Sequence, residues 1–289
     1  MEVAAFLLVP FLAGLVLTGI HAYLGLHVVE RGVIFVDLSL AQIAALGTTV
    51  AYLAGYDLHS DTTWFWSLGF TIAGAAIFAL TRSHGPTRIP QEAIIGIVYA
   101  VSAAAAILAM SKAPEGTEHL KDMLVGNILT VSWPELIKTA VLYAVIGAFH
   151  WAFRRRFLAI SMDADAAVAS GMRVKFWDFL FYTSFGFVVT SSVTIAGVLL
   201  VFSYLIVPSV AAMLFARTVG GRLTFGWTMG ALVSALGIIL SFRLDLPTGA
   251  TIVCTFGVVL AVLALVWWRW RGARSVRSAR SVPSTVVDR

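Results

Sequence analysis

The chain has 289 residues, of which 60% are hydrophobic and only 12% charged, with a formal net charge of +5. That balance excludes an ordinary soluble domain, and the positive excess requires no nucleic-acid partner, because membrane proteins gather Lys and Arg in their cytoplasmic loops. A crossing takes about 20 mostly apolar residues, and such stretches run almost end to end, which predicts an all-α, polytopic integral membrane protein.

The first apolar stretch, residues 4–26, has no basic segment before it and leads straight into more spans, so it reads as a first helix rather than a secretory leader. Further spans are predicted over 33–54, 63–81, 92–110, 134–153, 178–196, 199–217, 222–241 and 247–268. That makes about nine, or eight if the close pair at 178–217 fuses. Continuous apolar runs of this length are helices, since barrel strands would alternate.

In a nine-span arrangement 16 of the 20 Lys and Arg residues fall on one side, from Arg31 and Arg82 through Arg154, Arg155 and Arg156 to the C-terminal arginines. Short cytoplasmic loops carry that excess, so the N-terminus is expected outside and the C-terminus in the cytoplasm. The domain reading is one transmembrane domain over 1–270. Beyond it, 271–289 is a basic, Ser-rich tail, expected to be unstructured and to rest on anionic lipid.

Asp37 is the residue that the hydropathy does not explain. It lies inside "GVIFVDLSLAQIAALG", and a charged side chain at the centre of a span costs at least ~2.5 kcal/mol, which makes it a functional candidate. Ser39 and Gln42, three apart, share a face of the same helix, whereas Asp37 and Gln42 are about 140° apart around it. Further along, Pro208 in "GVLLVFSYLIVPSVAAMLFA" removes one backbone hydrogen bond and frees carbonyls near Tyr204; with Ser203 these residues either line a pathway or mark a packing kink.

Two connections stand out. On the outer side "MLVGNILTVSW" is apolar but too short to cross, as re-entrant or interfacial segments are. On the basic side, "SMDADAAVASGMRV" predicts a short helix over about 161–172, with Ser161 or Asp163 as its cap and Gly171 as its end. A helix so short is unstable alone and requires something to dock on.

The chain has no GxxxxGK[ST] loop for nucleotide phosphates, no HExxH or HxxxH pair and no paired intramembrane aspartates, so it is not expected to be an enzyme. His59 and His119, placed among acids on the outer side, form at most a weak metal-attracting rim, and solvated loop histidines are the commoner reading. Cys254 is single and forms no intrachain disulfide.

Several stretches together resemble the membrane permeases of bacterial ABC importers for zinc, manganese and iron, the ABC-3 family. They are "YLGLHVVERGVIFVDLSLAQIAALG", "QEAIIGIVYAVSAA", "DMLVGNILTVSWPEL", "SMDADAAVASGMRVKFWD", "IAGVLLVFSYLIVPSVAA" and "LSFRLDLPTGATIV", spread over about residues 10–265. The resemblance implies the cobalamin/metal-chelate type of permease fold in a bacterial cytoplasmic (inner) membrane. It implies a homodimer, each copy docked on a cytoplasmic ABC ATPase that uses the ATP and fed by an extracytoplasmic metal-binding protein. No cofactor is held permanently; a divalent metal ion is the cargo.

By the same resemblance Asp163, Ala166, Ala169 and Gly171 belong to the coupling helix that meets the ATPase. Family members carry Asp and His four residues apart, on one helical face, where this chain has "VDLSLAQ". The resemblance therefore gives Asp37 the metal-transit role and Gln42 a weaker, neutral one, without the imidazole. A carboxylate with an amide is a harder ligand set than carboxylate with imidazole. The runner-up functions are a permease for a metal chelate or cobalamin-like solute and an ion-gradient-driven secondary transporter, although the internal repeat usual in the latter is not visible.

Overall fold

The computed structural model describes residues 2–58, 60–82, 89–111, 126 and 128–280. Its elements are α1 (Glu2–Glu30), α2 (Val36–Leu53), α3 (Asp61–Thr81), α4 (Gln91–Met110), a 3-10 turn (Ile128–Thr130), α5 (Trp133–Ala152), α6 (Arg154–Met162), α7 (Ala164–Ala169), α8 (Val174–Phe215), α9 (Val219–Leu244) and α10 (Thr248–Arg280). No strand occurs among the described residues.

Local chemistry sets the ends. Ser60 caps α3 by accepting from the Thr63 amide, and Ser132 with Glu135 forms a reciprocal capping box on α5. Asp163, rather than Ser161, caps α7, its carboxylate accepting from the Ala166 amide at 2.9 Å. At the other end of α7 the Met172 amide reaches back to the Ala167 carbonyl and the Gly171 amide to Val168, a closure that needs the φ of +80° found at Gly171.

Seven helices among the described residues are each long and apolar enough to cross a membrane, and α5 with α6, bent by 74°, adds an eighth. One of the seven is α8, 42 residues long, with Gly197 in a non-helical conformation (φ 73°, ψ 160°). A straight helix would separate Asp178 from Ala216 by ~57 Å. Yet Asp178 binds Arg31, while Arg222 binds both the Ala216 carbonyl and Glu30, the neighbour of Arg31. The helix must therefore double back at Gly197. It supplies two crossings, those expected over 178–196 and 199–217, and the described residues make nine passages in all.

α8 stands at the centre, packed against α1, α2, α3, α9 and α10. Its buried face includes Phe181, Tyr182, Phe185, Val188 and Val189, all fully enclosed. Helices approach closely through small residues, as in bilayers generally. A Cβ on Gly25 would lie 2.0 Å from the Leu205 carbonyl oxygen, and one on Gly230 2.4 Å from Thr18 Cγ2.

Helix α10 continues as far as Arg280, past residue 270; residues 281–289 lie outside those described. Cys254 is exposed on α10, beside Leu236, Leu240 and Val258 in an apolar groove between α9 and α10.

Of the short apolar connection, Gly126 and the residues from Ile128 on are described. Its 3-10 turn rests on α1 and α10, and Gly126, with φ +62°, sits against the α8 reversal, where an added Cβ would lie 2.2 Å from both the Ala196 carbonyl carbon and the Gly197 amide nitrogen. Gly126→Ala is expected to destabilise the protein by ~2 kcal/mol or more, because backbone cannot yield as a side chain can. An unchanged thermal unfolding midpoint in detergent would contradict that packing.

Candidate functional site

Asp37 lies in the first turn of α2, 1% exposed, and neither carboxylate oxygen has a hydrogen-bond partner among the described residues. Among the described residues no ion pair reaches it. Ser39 Oγ, fully buried two residues on, is also without a partner. α2 is continuous over Val36–Leu53, so Gln42, 9% exposed, stays off the Asp37 face. Buried polar groups are almost always paired, and each exception asks for an explanation. Asp37 and Ser39 are about 160° apart around the helix, so the bare carboxylate and the bare hydroxyl point to different sides of α2.

Among the described residues no group of three or more His, Cys, Asp or Glu converges on one point. A single carboxylate binds a divalent ion weakly, and a conduit must release what it binds. This arrangement therefore suits passage of an ion better than its storage.

The other predicted pathway residues are placed differently. Ser203 donates to Leu199 of its own helix at 2.9 Å, and the Tyr204 hydroxyl meets Ser234 Oγ on α9 at 2.8 Å. Pro208 is buried, with its Cβ 3.6 Å from where a Cβ on Gly226 would stand. These three are not brought together with Asp37 by any direct hydrogen bond. The expected outer rim, His59 and His119, lies outside the described residues.

The bundle also holds a charge cluster that hydropathy did not reveal. Arg31, just past α1, donates from Nη1 to Asp178 Oδ1 at 2.6 Å and from Nε to Ser161 Oγ at 2.8 Å, and its guanidinium lies 3.9 Å from the centre of the Phe181 ring. Arg82 Nη1 stands 3.0 Å from Asp178 Oδ2, an ion contact without hydrogen-bond alignment. The Arg31 and Asp178 side chains are fully enclosed. His27 Nδ1 meets Ser161 Oγ at 2.8 Å, and His150 Nε2 meets Ser184 Oγ at 2.8 Å. Glu30 turns away from Arg31 and pairs with Arg222 on α9. In sequence Glu30 and Arg31 look like a boundary ion pair; in space each reaches a different helix.

Next to this cluster, α6 and α7 form the basic-side connection. Phe157 on α6 is fully buried, with its ring stacked on His150 at 4.4 Å and edge-on to Trp177 at 5.6 Å. Only Ala167 of α7 is buried, whereas Asp163, Asp165, Ala166, Val168, Ala169 and Gly171 are exposed. The segment is thus anchored from beneath and presents a small-residue face outward.

Nine apolar passages around a bare acid, with a small exposed helix fixed on the basic end, define a membrane-embedded transport subunit. The sequence pattern of the ABC 3 transport family matches residues 4–267, and the chain belongs to that family. The "Probable iron transport system membrane protein" of Haemophilus influenzae is 28% identical over 242 residues, covering 84% of this chain and 86% of its own. The manganese transport system membrane protein MntC of Listeria monocytogenes is 25% identical over 252 residues, covering 85% of each chain. Among solved structures, PsaBC from Streptococcus pneumoniae in complex with Fab has a TM-score of 0.74 at 24% identity, over 89% of this chain and 90% of that one, a likeness of fold.

Proposed function

We propose that this chain is the permease subunit of an ABC importer for divalent transition metal ions, with Asp37 as the acid that contacts the ion in transit. The observation that carries the cargo class is the enclosed, unpaired Asp37 carboxylate in a chain of this family. An acid immersed in low dielectric without a cation costs several kcal/mol, and a passing divalent cation is the partner that relieves it. The names of the iron and manganese relatives favour a transition metal. Zinc, manganese and iron remain the cargo set.

Two copies form the pathway in this reading. A separate ABC ATPase docks on α7, and a solute-binding protein delivers the metal at the opposite face. The basic end, with Arg31, Arg82 and Arg154 to Arg156, faces the cytoplasm of a bacterial inner membrane, as the distribution of positive charge favours. Affinity purification in mild detergent from the native host tests the assembly. A stoichiometric ATPase and a metal-loaded binding protein are expected to accompany the chain. A lone dimer, stable across several detergents and free of any ATPase, would favour a gradient-driven transporter instead.

The exposed face of α7, with Asp163, Ala166, Ala169 and Gly171, is the coupling contact in this reading. Gly171→Pro cannot hold a φ of +80°, and Asp163→Lys loses a cap worth ~1 kcal/mol and reverses its charge. Either variant is expected to leave ATP hydrolysis running while metal uptake per ATP falls. Native stoichiometry in both would remove the coupling assignment.

A further inference from the structure

We propose that Ser161 and Arg31 are positioning residues that tie the coupling segment to the spans, so that movement of α7, which already runs into α8 through the Gly171 turn, is delivered also to α1 through one buried hydroxyl and kept in register with the start of α8. The inference rests on the coupling reading of α7 and extends it to residues that do not meet the ATPase.

Ser161 is the last buried residue of α6 before the exposed α7, and its side chain is turned inward rather than capping the helix that follows. It accepts from Arg31 Nε, which leaves the hydroxyl proton free for His27 Nδ1, both at 2.8 Å. Arg31 uses a second arm of the same planar fork on Asp178 of α8. One guanidinium therefore joins the connection below α7, the end of α1 and the start of the doubled helix. A planar, rigid fork holds both contacts in fixed relation, which a lysine ammonium on a flexible stem cannot do.

The cluster is not built as a simple stabilising pair. Two guanidinium groups face one carboxylate, Arg31 Nη2 has only the neighbouring Tyr182 hydroxyl near it and no aligned hydrogen bond, and His27 Nε2 has no partner among the described residues. A group retained only for stability would be better satisfied, since buried pairs seldom improve on apolar packing. Incomplete pairing at His27, Arg31, Arg82 and Asp178 falls where α1, α3, α6 and α8 meet, although other buried polar atoms, on α2 and α4, are also unpaired among the described residues. Phe157 and Trp177 hold α6 by area alone, without direction. Direction comes from the hydroxyl and the fork.

The test uses the complex purified with its own ATPase and binding protein, reconstituted in vesicles, with manganese(II) and zinc(II) offered separately as cargo probes. Metal ions moved per ATP hydrolysed is the readout. Ser161→Ala is expected to assemble and hydrolyse ATP while that ratio falls at least about fivefold. Arg31→Lys, which keeps a cation for Asp178 but loses the fork, is expected to give the same fall. The double variant is expected to be no worse than either alone, because coupled residues are non-additive.

A native ratio in Ser161→Ala, transport and hydrolysis falling together at constant ratio, or losses that multiply in the double variant would each overturn the proposal. Asp163→Lys run beside them separates the two readings. If it uncouples and Ser161→Ala does not, only the inference about Ser161 and Arg31 fails; if Asp163→Lys keeps the native ratio, the coupling role of α7 fails, and this inference with it.

Discussion

Asp37→Asn is expected to lower metal uptake at least about tenfold while raising the thermal unfolding midpoint of the detergent-solubilised protein. The two effects share one cause. The carboxylate is enclosed and, among the described residues, has no hydrogen-bond partner and no ion pair. Its place in the first turn of α2 lets the helix dipole recover ~0.3–1 kcal/mol, which is less than the ~1–3 kcal/mol or more that an unsatisfied buried polar or charged group costs. The amide is isosteric and neutral, so folding gains while the ion loses its carboxylate. Uptake is read with radiolabelled or mass-tagged metal and stability by thermal unfolding in the same preparation. Normal uptake, or a lower midpoint with normal ATPase assembly, would show that the acid serves the fold instead.

The second large effect is expected at Asp178. Asp178→Ala leaves Arg31 fully enclosed and Arg82 nearly so without their counter-charge, and breaking a buried pair by removing one partner typically costs ~3–5 kcal/mol. That is a large share of the ~5–15 kcal/mol by which a folded protein is usually stable, so the variant is expected to accumulate poorly. Adding Arg31→Met should restore most of the yield, since the charge then left, Arg82, keeps 11% of its side chain exposed. The measurement is folded protein recovered by size exclusion together with its unfolding midpoint. Equal losses in the single and double variants would mean that the carboxylate matters for a reason other than these cations.

Hydropathy located the crossings well because lipid imposes the same requirement on every span. The expected 92–110 and 134–153 appear as Gln91–Met110 and Trp133–Ala152, and the expected gap after residue 196 falls at Gly197. Asp37 was legible for the same reason, as a charge where none is tolerated cheaply. Its lack of any partner was not legible, because sequence does not show which side chains surround a carboxylate. The Arg31, Asp178 and Ser161 cluster was hidden more completely. Ser161 and Asp178 lie 130 and 147 residues from Arg31, and each member has an adequate local explanation as a boundary arginine, a span-end acid or a helix cap. Ser161 and Asp163 are equally good caps by type. The inward guanidinium of Arg31 takes Ser161 and leaves the cap to Asp163.

The reversal at Gly197 also limits how the interior can move. Two membrane passages joined through a single residue have no slack, so they cannot slide past each other along the bilayer normal as passages joined by a loop can. Their available relative motion is a scissor-like opening about that pivot. The pivot itself is wedged by Gly126, so any displacement has to grow toward the far ends of the two arms, where Asp178 and Ala216 lie.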